Sequence, residues 1–336
     1  MRPLKLPGNQ LQRFYRGGAR IRAFRGLPGD DDDAPEEWIG STTTLFGSET
    51  LGLSPLPDGR VLRDAILADP DRYLGRGHAA RYGPDPGLLV KLLDAGERLP
   101  VHFHPDREFA GRHLGGRWGK TEAWIIVEGG GTVQLGFREE PDGETVAGWV
   151  ERQEAQAMLD ALHAIPVEPG DTIYVPAGTP HAIGEGILMV ELQEPSDLSV
   201  LLEWEGFAID GAAEGHLGLG FEVALDALDR SAWSAEGLER IRSRRGADDR
   251  GPGTERLFPE EADAFFRAER IQADGPAPLP AAFSILIVLD GAGELVAGDG
   301  TRLGLARGEA ILVPFAAGDC HVEGSVDLIR CLPPAG

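Results

Sequence analysis

An internal repeat constrains the fold more than any other feature of this sequence. Residues 167–178, VEPGDTIYVPAG, are repeated in altered form by residues 305–318, LARGEAILVPFAAG, so that Gly170 matches Gly308 and Pro176 matches Pro314. Residues 124–136, WIIVEGGGTVQLG, are repeated in the same order by residues 286–298, LIVLDGAGELVAG. Two strand-and-turn segments that recur in the same order predict two β units built on one plan.

The length and composition of the chain agree with two such units. At 336 residues the chain is longer than most single domains, and 42% hydrophobic residues are enough for two or three packed cores. The 47 glycines and 25 prolines favour many turns and short strands over long helices. We therefore expect a mainly β protein.

Four side chains with metal-binding chemistry lie in the first of the two repeated units. His102 and His104 form an H-x-H pair, and this spacing puts both imidazoles on one face of a strand. Glu122 opens the apolar run AWIIV, and His181 follows a turn, a short strand and a proline-rich loop. One histidine alone is usually a surface or core residue, but three imidazoles and a carboxylate suit a divalent metal such as Zn, Mn, Fe, Ni or Co.

The order of these residues is typical of cupins. An H-x-H pair, a glutamate entering an apolar strand and a G-x5-P-x-G-x2-H segment together indicate a cupin-type jelly-roll barrel. We expect two such barrels, the second degenerate, with a few helices between and around them. In the second barrel Ser284 stands where Glu122 would be, Asp319 stands where His181 would be, and His321 is two residues out of register. We expect this second barrel to be structural.

The predicted organisation has three parts. Residues 1–204 would form the metal-binding cupin with flanking helices, residues 205–277 a helical linker, and residues 278–336 the degenerate barrel. Hydrophobic spacing predicts two short helices over residues 61–83 and one helix over 147–164, with His163 in a structural role near its end. Residues 221–250 predict two more short helices that end in a basic surface cluster, RIRSRRG (240–246).

The net charge and the lack of long apolar segments limit the classes of partner and the location that we expect for this protein. With 32 Lys and Arg against 55 Asp and Glu, the net charge of −23 opposes binding to nucleic acid and to anionic membranes. No window approaches about 18 consecutive apolar residues, and the N-terminus has no apolar signal region. Cys320 and Cys331 are expected to be free thiols, and the acidic run at 29–33 an exposed, mobile loop. A cytoplasmic protein is expected, and its oligomeric state is left open.

Several segments resemble class I mannose-6-phosphate isomerases, especially the shorter bacterial form. They are EEWIGS (36–41), LLVKLLDAGERLPVHFHPD (88–106), GRWGKTEAWIIVE (116–128) and VPAGTPHAIGEGILMVELQEPSD (175–197). The resemblance spans most of residues 13–204, and a degenerate C-terminal cupin also belongs to that architecture. It implies a zinc-dependent aldose–ketose isomerase that interconverts mannose 6-phosphate and fructose 6-phosphate, so that the partner is a small sugar or sugar phosphate.

The resemblance also implies site residues. His104, Glu122 and His181 match the family's metal ligands, while His102 replaces a family glutamine and gives a set of three histidines and one glutamate. The other matched positions are candidates for substrate binding and catalysis: Lys120 as a substrate-binding cation that assists charge stabilisation or proton transfer, Glu191 as the base, and Trp38 as a substrate-site residue.

Two positions depart from the family. Pro100 stands at a family serine thought to help hold the phosphate, and Leu201 stands at a family arginine thought to be important for catalysis. Loss of a guanidinium removes a bidentate phosphate clamp and a cation that stabilises enediolate charge. An N-terminal arginine such as Arg20 is the candidate to replace it in substrate binding.

Two other functions compete with isomerisation. A cupin with three histidines and one glutamate can also be a dioxygenase, and a metal cupin without chemistry can be a sugar-binding or regulatory protein. Lys120 and Glu191 facing the metal group would favour isomerisation. A small apolar pocket would favour oxygen chemistry, and an occluded site would favour the regulator.

Overall fold

The structure is a computed structural model that describes residues 1–29, 32–243 and 253–335. Strands hold 34% of the residues and helices 24%, which confirms the mainly β prediction. The strands form three antiparallel sheets, and none of the three closes on itself within the described ranges. The hydrogen-bonding pattern therefore does not itself establish the two predicted barrels.

The first sheet has seven strands and runs through the centre of the N-terminal unit. In spatial order these are β13 (Arg242–Ser243), β9 (Thr172–Val175), β6 (Glu122–Gly129), β11 (Ile187–Gln193), β4 (Leu89–Asp94), β3 (Glu36–Ile39) and β2 (Gln10–Leu11). The central strands are rich in Val, Ile and Leu and almost completely buried, as expected for strands covered on both faces.

The second sheet has five strands and packs against the first. In spatial order these are β12 (Val200–Leu201), β5 (His102–Phe103), β10 (His181–Ile183), β7 (Gly131–Phe137) and β8 (Leu162–Val167). Val133, Leu135 and Ile183 of this sheet share one buried cluster with Trp124 and Val190 of the first sheet. The space between these two sheets is where the predicted ligands meet.

The third sheet forms the C-terminal unit and has eight strands. Six lie in the order β1 (Leu4–Lys5), β19 (Ala310–Val313), β17 (Ser284–Val296), β20 (Cys320–Leu332), β15 (Arg267–Asp274) and β14 (Gly253–Arg256), while β16 (Ala277–Leu279) pairs with β20 and β18 (Arg302–Ala306) pairs with β17. β1 comes from the start of the chain, so the N-terminus completes an edge of the C-terminal sheet.

This sheet corrects the predicted helical linker over residues 205–277. Its last part contains β14 and β15, and β15 pairs with β20 along its whole length. Ala268, Ile271 and Ala273 are the buried residues of β15, and its remaining residues are charged or polar. That sparse pattern explains why the strand is not evident from the sequence.

The helices are short and lie at the edges of the sheets. They are α1 (Ala19–Arg25), α2 (Leu62–Ala68), α3 (Pro70–Leu74), α4 (Arg76–Tyr82), α5 (Arg107–Phe109) with a π-helical turn (Ala110–Leu114), α6 (Gly143–Arg152), α7 (Ala155–Ala161), α8 (Gly211–Glu214), α9 (Phe221–Ala224) and α10 (Ala235–Ile241). Short 3-10 turns occur at Leu225–Ala227, Glu260–Ala264 and Phe315–Ala317.

Two helix predictions need correction. The single helix over 147–164 is two helices, because Gln153 ends α6 in the left-handed conformation at φ 51° and α7 starts after it. His163 then lies on strand β8, where its Nε2 is 3.0 Å from the Trp233 carbonyl. Over residues 61–83 there are three helices, because Gly75 at φ 85° separates α3 from α4.

Other predictions have mixed outcomes. Cys320 and Cys331 are free and buried, which confirms the prediction of two free thiols. The acidic run 29–33 and the basic cluster 240–246 lie partly outside the described residues. In the described part of the chain, no helix has the length and hydrophobicity that a membrane span requires.

Candidate metal centre

Three strands of the two facing sheets bring the predicted ligands together. His181 begins β10 directly opposite His102 of β5, and His104 follows β5 by one residue. The ring centroids of His102 and His181 are 4.1 Å apart, and each lies 5.0 Å from the ring of His104. Glu122 opens β6 on the facing sheet, with its carboxylate oxygens 3.1 Å from His104 Nε2 and 3.3 Å from His181 Nε2.

Backbone carbonyls orient all three imidazoles in the same way. The Nδ1 atoms of His102, His104 and His181 lie 2.8, 2.8 and 2.9 Å from the carbonyls of Pro100, Leu198 and Thr179. A carbonyl only accepts, so each Nδ1 carries the proton and each Nε2 keeps a free lone pair. This arrangement is common among metal-binding histidines, because it fixes the ring and its tautomer.

The group has the polar atoms and the protonation state that a metal requires. One ligand nitrogen from each histidine lies within 4.8 Å of the other two. Within the described residues, His181 Nε2 is buried without a hydrogen-bond partner, which is costly unless a cation or water satisfies it. The residues therefore fit a divalent metal with nitrogen and oxygen ligands.

The electrostatic environment keeps the three histidines and Glu122 in the protonation states that can bind a metal. Burial lowers the pKa of His102 and His181, and burial together with Lys120 lowers the pKa of His104 to about 3, so the imidazoles stay neutral. Burial would raise the pKa of Glu122, but the Lys120 ammonium outweighs it and holds that pKa well below its usual value. Neutral imidazole and ionised carboxylate are the metal-binding forms.

Lys120 lies inside this group. It is buried, and its Nζ is 3.0 Å from His104 Nε2 and 3.2 Å from Glu122 Oε2. The lone pair of His104 Nε2 can serve either Lys120 or a metal, but not both at once. Lys120 is therefore a cation beside the ligands that becomes available when a metal takes that lone pair.

A buried chain of charges extends from the ligands along the first sheet. Lys91 Nζ lies 3.3 Å from Glu191 Oε1 and 3.1 Å from Glu36 Oε2, and all three side chains are buried. Burial raises the pKa of Glu191 to about 7, because it outweighs the lowering effect of Lys91. A carboxyl group with a pKa near neutrality can both take and return a proton at physiological pH.

These groups open into one small pocket. His102, Lys120, Glu122 and Glu191 line it, together with residues of the N-terminus and of strand β12, around a cavity of about 40 Å³. The pocket is strongly charged, unlike the small apolar pocket that oxygen chemistry would favour. The joint presence of Lys120 and Glu191 in one pocket with predicted ligands favours isomerisation over the two alternatives.

Two predicted substrate-binding residues lie elsewhere. Arg20 does not line the pocket, because its backbone N–H and its guanidinium both bind Asp94, at 2.9 and 3.3 Å, where the carboxylate holds the start of α1. Trp38 is fully buried behind the pocket, where its Nε1 donates to Glu36 Oε2 at 2.7 Å and its ring lies 4.9 Å from Lys91 Nζ.

Three pocket residues were missed from the sequence. Arg13 lies in the pocket wall, with Nη1 and Nη2 3.3 and 3.4 Å from the Asp197 carboxylate and Nε 3.1 Å from Glu36 Oε1. Lys91 and Glu36 are the other two. The available signal was a charge inside an apolar strand, since Lys91 interrupts LLVKLL and Glu36 opens EEWI.

The fold and this group define a class of protein: a mainly β protein with a buried group of three histidines and one glutamate, in which the histidines could hold a metal ion. The chain is 30% identical over 249 residues to mannose-6-phosphate isomerase ManA of Bacillus subtilis, covering 72% of this chain and 73% of that protein. It is 26% identical over 341 residues to mannose-6-phosphate isomerase of Streptococcus mutans, covering 96% and 95%. The chain therefore belongs to the mannose-6-phosphate isomerase family.

Solved structures support the same fold. The crystal structure of mannose 6-phosphate isomerase from Bacillus subtilis matches with a TM-score of 0.75 at 23% identity, covering 98% of this chain and 99% of that one. The apo form of the enzyme from Salmonella typhimurium matches with a TM-score of 0.74 at 15% identity, covering 99% of both chains. No family model matches the chain.

Proposed function

We propose that this protein is a metal-dependent aldose–ketose isomerase of the mannose-6-phosphate/fructose-6-phosphate type. Its partner is a small sugar or sugar phosphate in the open-chain form, and the reaction moves one proton between C2 and C1. The observation that carries the proposal is that Lys120 and Glu191 line one pocket with His102 and Glu122.

The proposed ligands are His102, His104, Glu122 and His181. The proposed metal is zinc, and Mn, Fe, Ni and Co suit the same nitrogen and oxygen donors. A divalent ion held by these residues would polarise the carbonyl and hydroxyl oxygens of the open-chain sugar and so ease enolisation. The carbonyl-anchored imidazoles support this assignment, because their lone pairs already converge.

Glu191 is the proposed base. It removes the proton from C2 of the aldose, which leaves a cis-enediolate, and then returns the proton to C1, while the O2 hydroxyl proton passes to O1, to give the ketose. Its pKa of about 7 supports both steps, because the carboxylate form is present for abstraction and the acid form is close in free energy for return. Lys91 is the proposed positioning residue, since its ammonium holds Glu191 Oε1 at 3.3 Å.

Lys120 is the proposed cation for the charge that develops on the sugar oxygen. A buried ammonium beside the reacting carbon stabilises an oxyanion more strongly than one in water. Trp38 acts through Glu36, which its indole N–H binds, and Arg20 acts through Asp94 at the start of α1. We propose no substrate contact for either of them.

For the architecture, we propose two cupin-type units, the second degenerate. Matching strand orders support this: β9-β6-β11-β4-β3 in the N-terminal unit and β19-β17-β20-β15-β14 in the C-terminal unit. We place the start of the C-terminal unit near residue 253 instead of 278, with β1 added from the chain start, because β14 and β15 pair into that sheet.

An NMR isomerisation assay tests the function. Zinc-loaded protein is incubated in D2O with mannose 6-phosphate and, separately, with mannose, and the ketose signals are followed. We expect ketose from at least one sugar, with loss of turnover in His181→Ala. Absence of ketose from both sugars, with the metal confirmed as bound, would refute the proposed activity.

A further inference from the structure

We infer that Arg107 and Glu194 form a positioning pair for Lys120, and that the C-terminal unit holds this pair in place. The inference rests on the proposed isomerase function, because that function assigns the charge-stabilising cation to Lys120. It comes from the hydrogen bonds of the backbone that carries Lys120 and from the contacts of Arg107 with the C-terminal unit.

Glu194 binds the residue that follows Lys120 at two points. The Thr121 N–H donates to Glu194 Oε2 at 3.0 Å, and the Thr121 carbonyl accepts from the Glu194 N–H at 3.0 Å. The Lys120 N–H itself donates to the Pro105 carbonyl at 2.9 Å. These three hydrogen bonds fix the backbone from which the Lys120 ammonium reaches the proposed metal ligands.

The Glu194 carboxylate needs a cation partner, because its side chain is completely buried. Arg107 provides this partner, since its Nε donates to Glu194 Oε1, the oxygen that does not bind Thr121. Removal of one member of a buried ion pair leaves the other charge without compensation in the interior. The carboxylate would then move toward water, and the Thr121 N–H would lose its acceptor.

The C-terminal unit holds the Arg107 guanidinium. Arg107 Nη2 donates to the Ala264 carbonyl at 3.1 Å, and the guanidinium lies 4.7 Å from the centre of the Phe265 ring. Ala264 and Phe265 lie between strands β14 and β15 of the C-terminal sheet. A planar guanidinium can stack on an aromatic ring and donate hydrogen bonds at its edge at the same time. The C-terminal unit thus contacts the proposed site through Arg107.

The position of Lys120 matters for the rate. A fixed cation stabilises the charge that develops on a substrate oxygen without having to reorganise during the reaction. A displacement of about 1 Å in such a group can cost roughly a hundredfold in rate. Arg107 and Glu194 line neither the ligand group nor the pocket, so their effect on the rate passes through Lys120.

Hydrogen exchange measured by mass spectrometry on the zinc-loaded protein tests the positioning directly. We expect Arg107→Ala to speed exchange of the Lys120 and Thr121 amides by roughly tenfold or more, because their segment opens locally. Arg112→Ala is the matched control from the following helical turn, where Arg112 forms an exposed ion pair with Glu108. We expect Arg112→Ala to leave this exchange unchanged.

A double-mutant cycle tests the effect on catalysis. We measure kcat per bound zinc with mannose 6-phosphate for Arg107→Ala in the wild type and in Lys120→Ala. We expect a fall of about tenfold or more in the wild type and of less than about twofold in Lys120→Ala, because a residue that acts through Lys120 has no further effect once Lys120 is absent. A general structural defect would lower kcat equally in both backgrounds.

Arg107→Lys is the second variant if Arg107→Ala does not fold. The lysine keeps a positive charge beside Glu194 but loses the planar fork that also binds the Ala264 carbonyl and stacks on Phe265. We expect the same two effects at a smaller size, about threefold each, because lysine does not replace arginine at a stacked site.

Failure of this inference differs from failure of the proposed function. Unchanged exchange at Lys120 and Thr121, or equal falls in kcat in the two backgrounds, would overturn the inference and leave the isomerase intact. If the wild type isomerises neither sugar, the proposed function fails, and hydrogen exchange still decides whether the pair holds Lys120. Exchange also decides the inference if Lys120→Ala has no measurable turnover.

Discussion

The two β units share one strand plan but have opposite electrostatics in their interiors. In the N-terminal unit Glu122 lies opposite Val175, just before Pro176, and in the C-terminal unit Ser284 lies opposite Val313, just before Pro314. The repeated segments thus occupy equivalent places in the two sheets. The position of Glu122, a proposed ligand, is kept in space, while its carboxylate is replaced by the Ser284 hydroxyl.

The neighbouring cross-strand pair reverses its charges. Lys91 lies opposite Glu191 in the N-terminal unit, and Glu269 lies opposite Arg330 at the equivalent position in the C-terminal unit. There Arg330 is buried, near the Ser284 hydroxyl at 3.4 Å and in contact with the Pro280 carbonyl. One scaffold therefore supports either the proposed metal group and base or a single buried guanidinium.

The largest expected difference between the two units is the effect of removing a histidine, His181 in the N-terminal unit or His321 in the C-terminal unit. His181→Ala removes one of four proposed ligands, and we expect loss of bound zinc and a fall in kcat of more than about 10³-fold, because both carbonyl polarisation and substrate orientation depend on the metal. His321→Ala is the matched control in the C-terminal unit, where we expect unchanged zinc content and activity. Zinc analysis with the NMR assay checks both, and equal losses in the two variants would contradict the comparison.

The next largest effect concerns Glu191, the proposed base, whose counterpart in the C-terminal unit is Arg330. Glu191→Gln should lower kcat by about 10²- to 10⁴-fold with zinc retained, because an amide cannot accept the C2 proton. In the wild type the base acts when ionised, and its pKa is about 7, so activity should rise as the pH increases from 6 to 8. A flat wild-type profile, with proton transfer shown to limit the rate by a C2 deuterium effect, would exclude Glu191.

The two reversed charge pairs, Lys91–Glu191 and Arg330–Glu269, should contribute differently to the free energy of unfolding. Lys91 is fully buried between two buried carboxylates, so Lys91→Met should cost about 3–5 kcal/mol of unfolding free energy, because Glu191 loses its ion-pair partner and Glu36 keeps only Arg13. In the other unit the Glu269 side chain is 34% exposed, and Glu269→Gln should cost no more than about 1 kcal/mol because solvent screens that pair. Urea unfolding measures both, and similar costs would show that the two pairs are energetically alike.

A last expected effect is the response of the metal-free protein to acid. Burial lowers the pKa of His102, His104 and His181, so the unfolded chain binds more protons than the folded one below its ordinary histidine pKa near 6.5. Stability should therefore fall as the pH drops below about 6.5, over a window that for His104 extends to about 3. His104→Gln should weaken this dependence in urea titrations and His321→Gln should not; an unchanged dependence in His104→Gln would contradict the burial argument.

The sequence could predict the parts of the site that rest on local rules. Strand alternation places His102 near His104, and the turn before β9 with the proline-rich loop after it sets the position of His181. The repeat also identifies Ser284 as the counterpart of Glu122, because turn glycines and prolines recur at fixed offsets. The prediction for Asp319 is wrong by one residue, since the cross-strand register makes Cys320 the counterpart of His181.

The parts that escaped prediction depend on long-range packing. Arg13 reaches Asp197 across 184 residues of sequence, so no local pattern could favour it over Arg20. Arg20 instead donates hydrogen bonds to Asp94, whose carboxylate holds the start of α1. The sequence predicts a linker where strand β15 forms, because most of the side chains of this strand are polar and its pairing with β20 decides its conformation.

The most direct test of the contrast between the units is anomalous diffraction at the zinc edge from crystals of the zinc-loaded protein. We predict one strong peak among the Nε2 atoms of His102, His104 and His181 and the Glu122 carboxylate, with no peak beside Ser284 in the C-terminal unit. No peak at the histidine group at saturating zinc, or a peak of equal strength beside Ser284, would contradict the account.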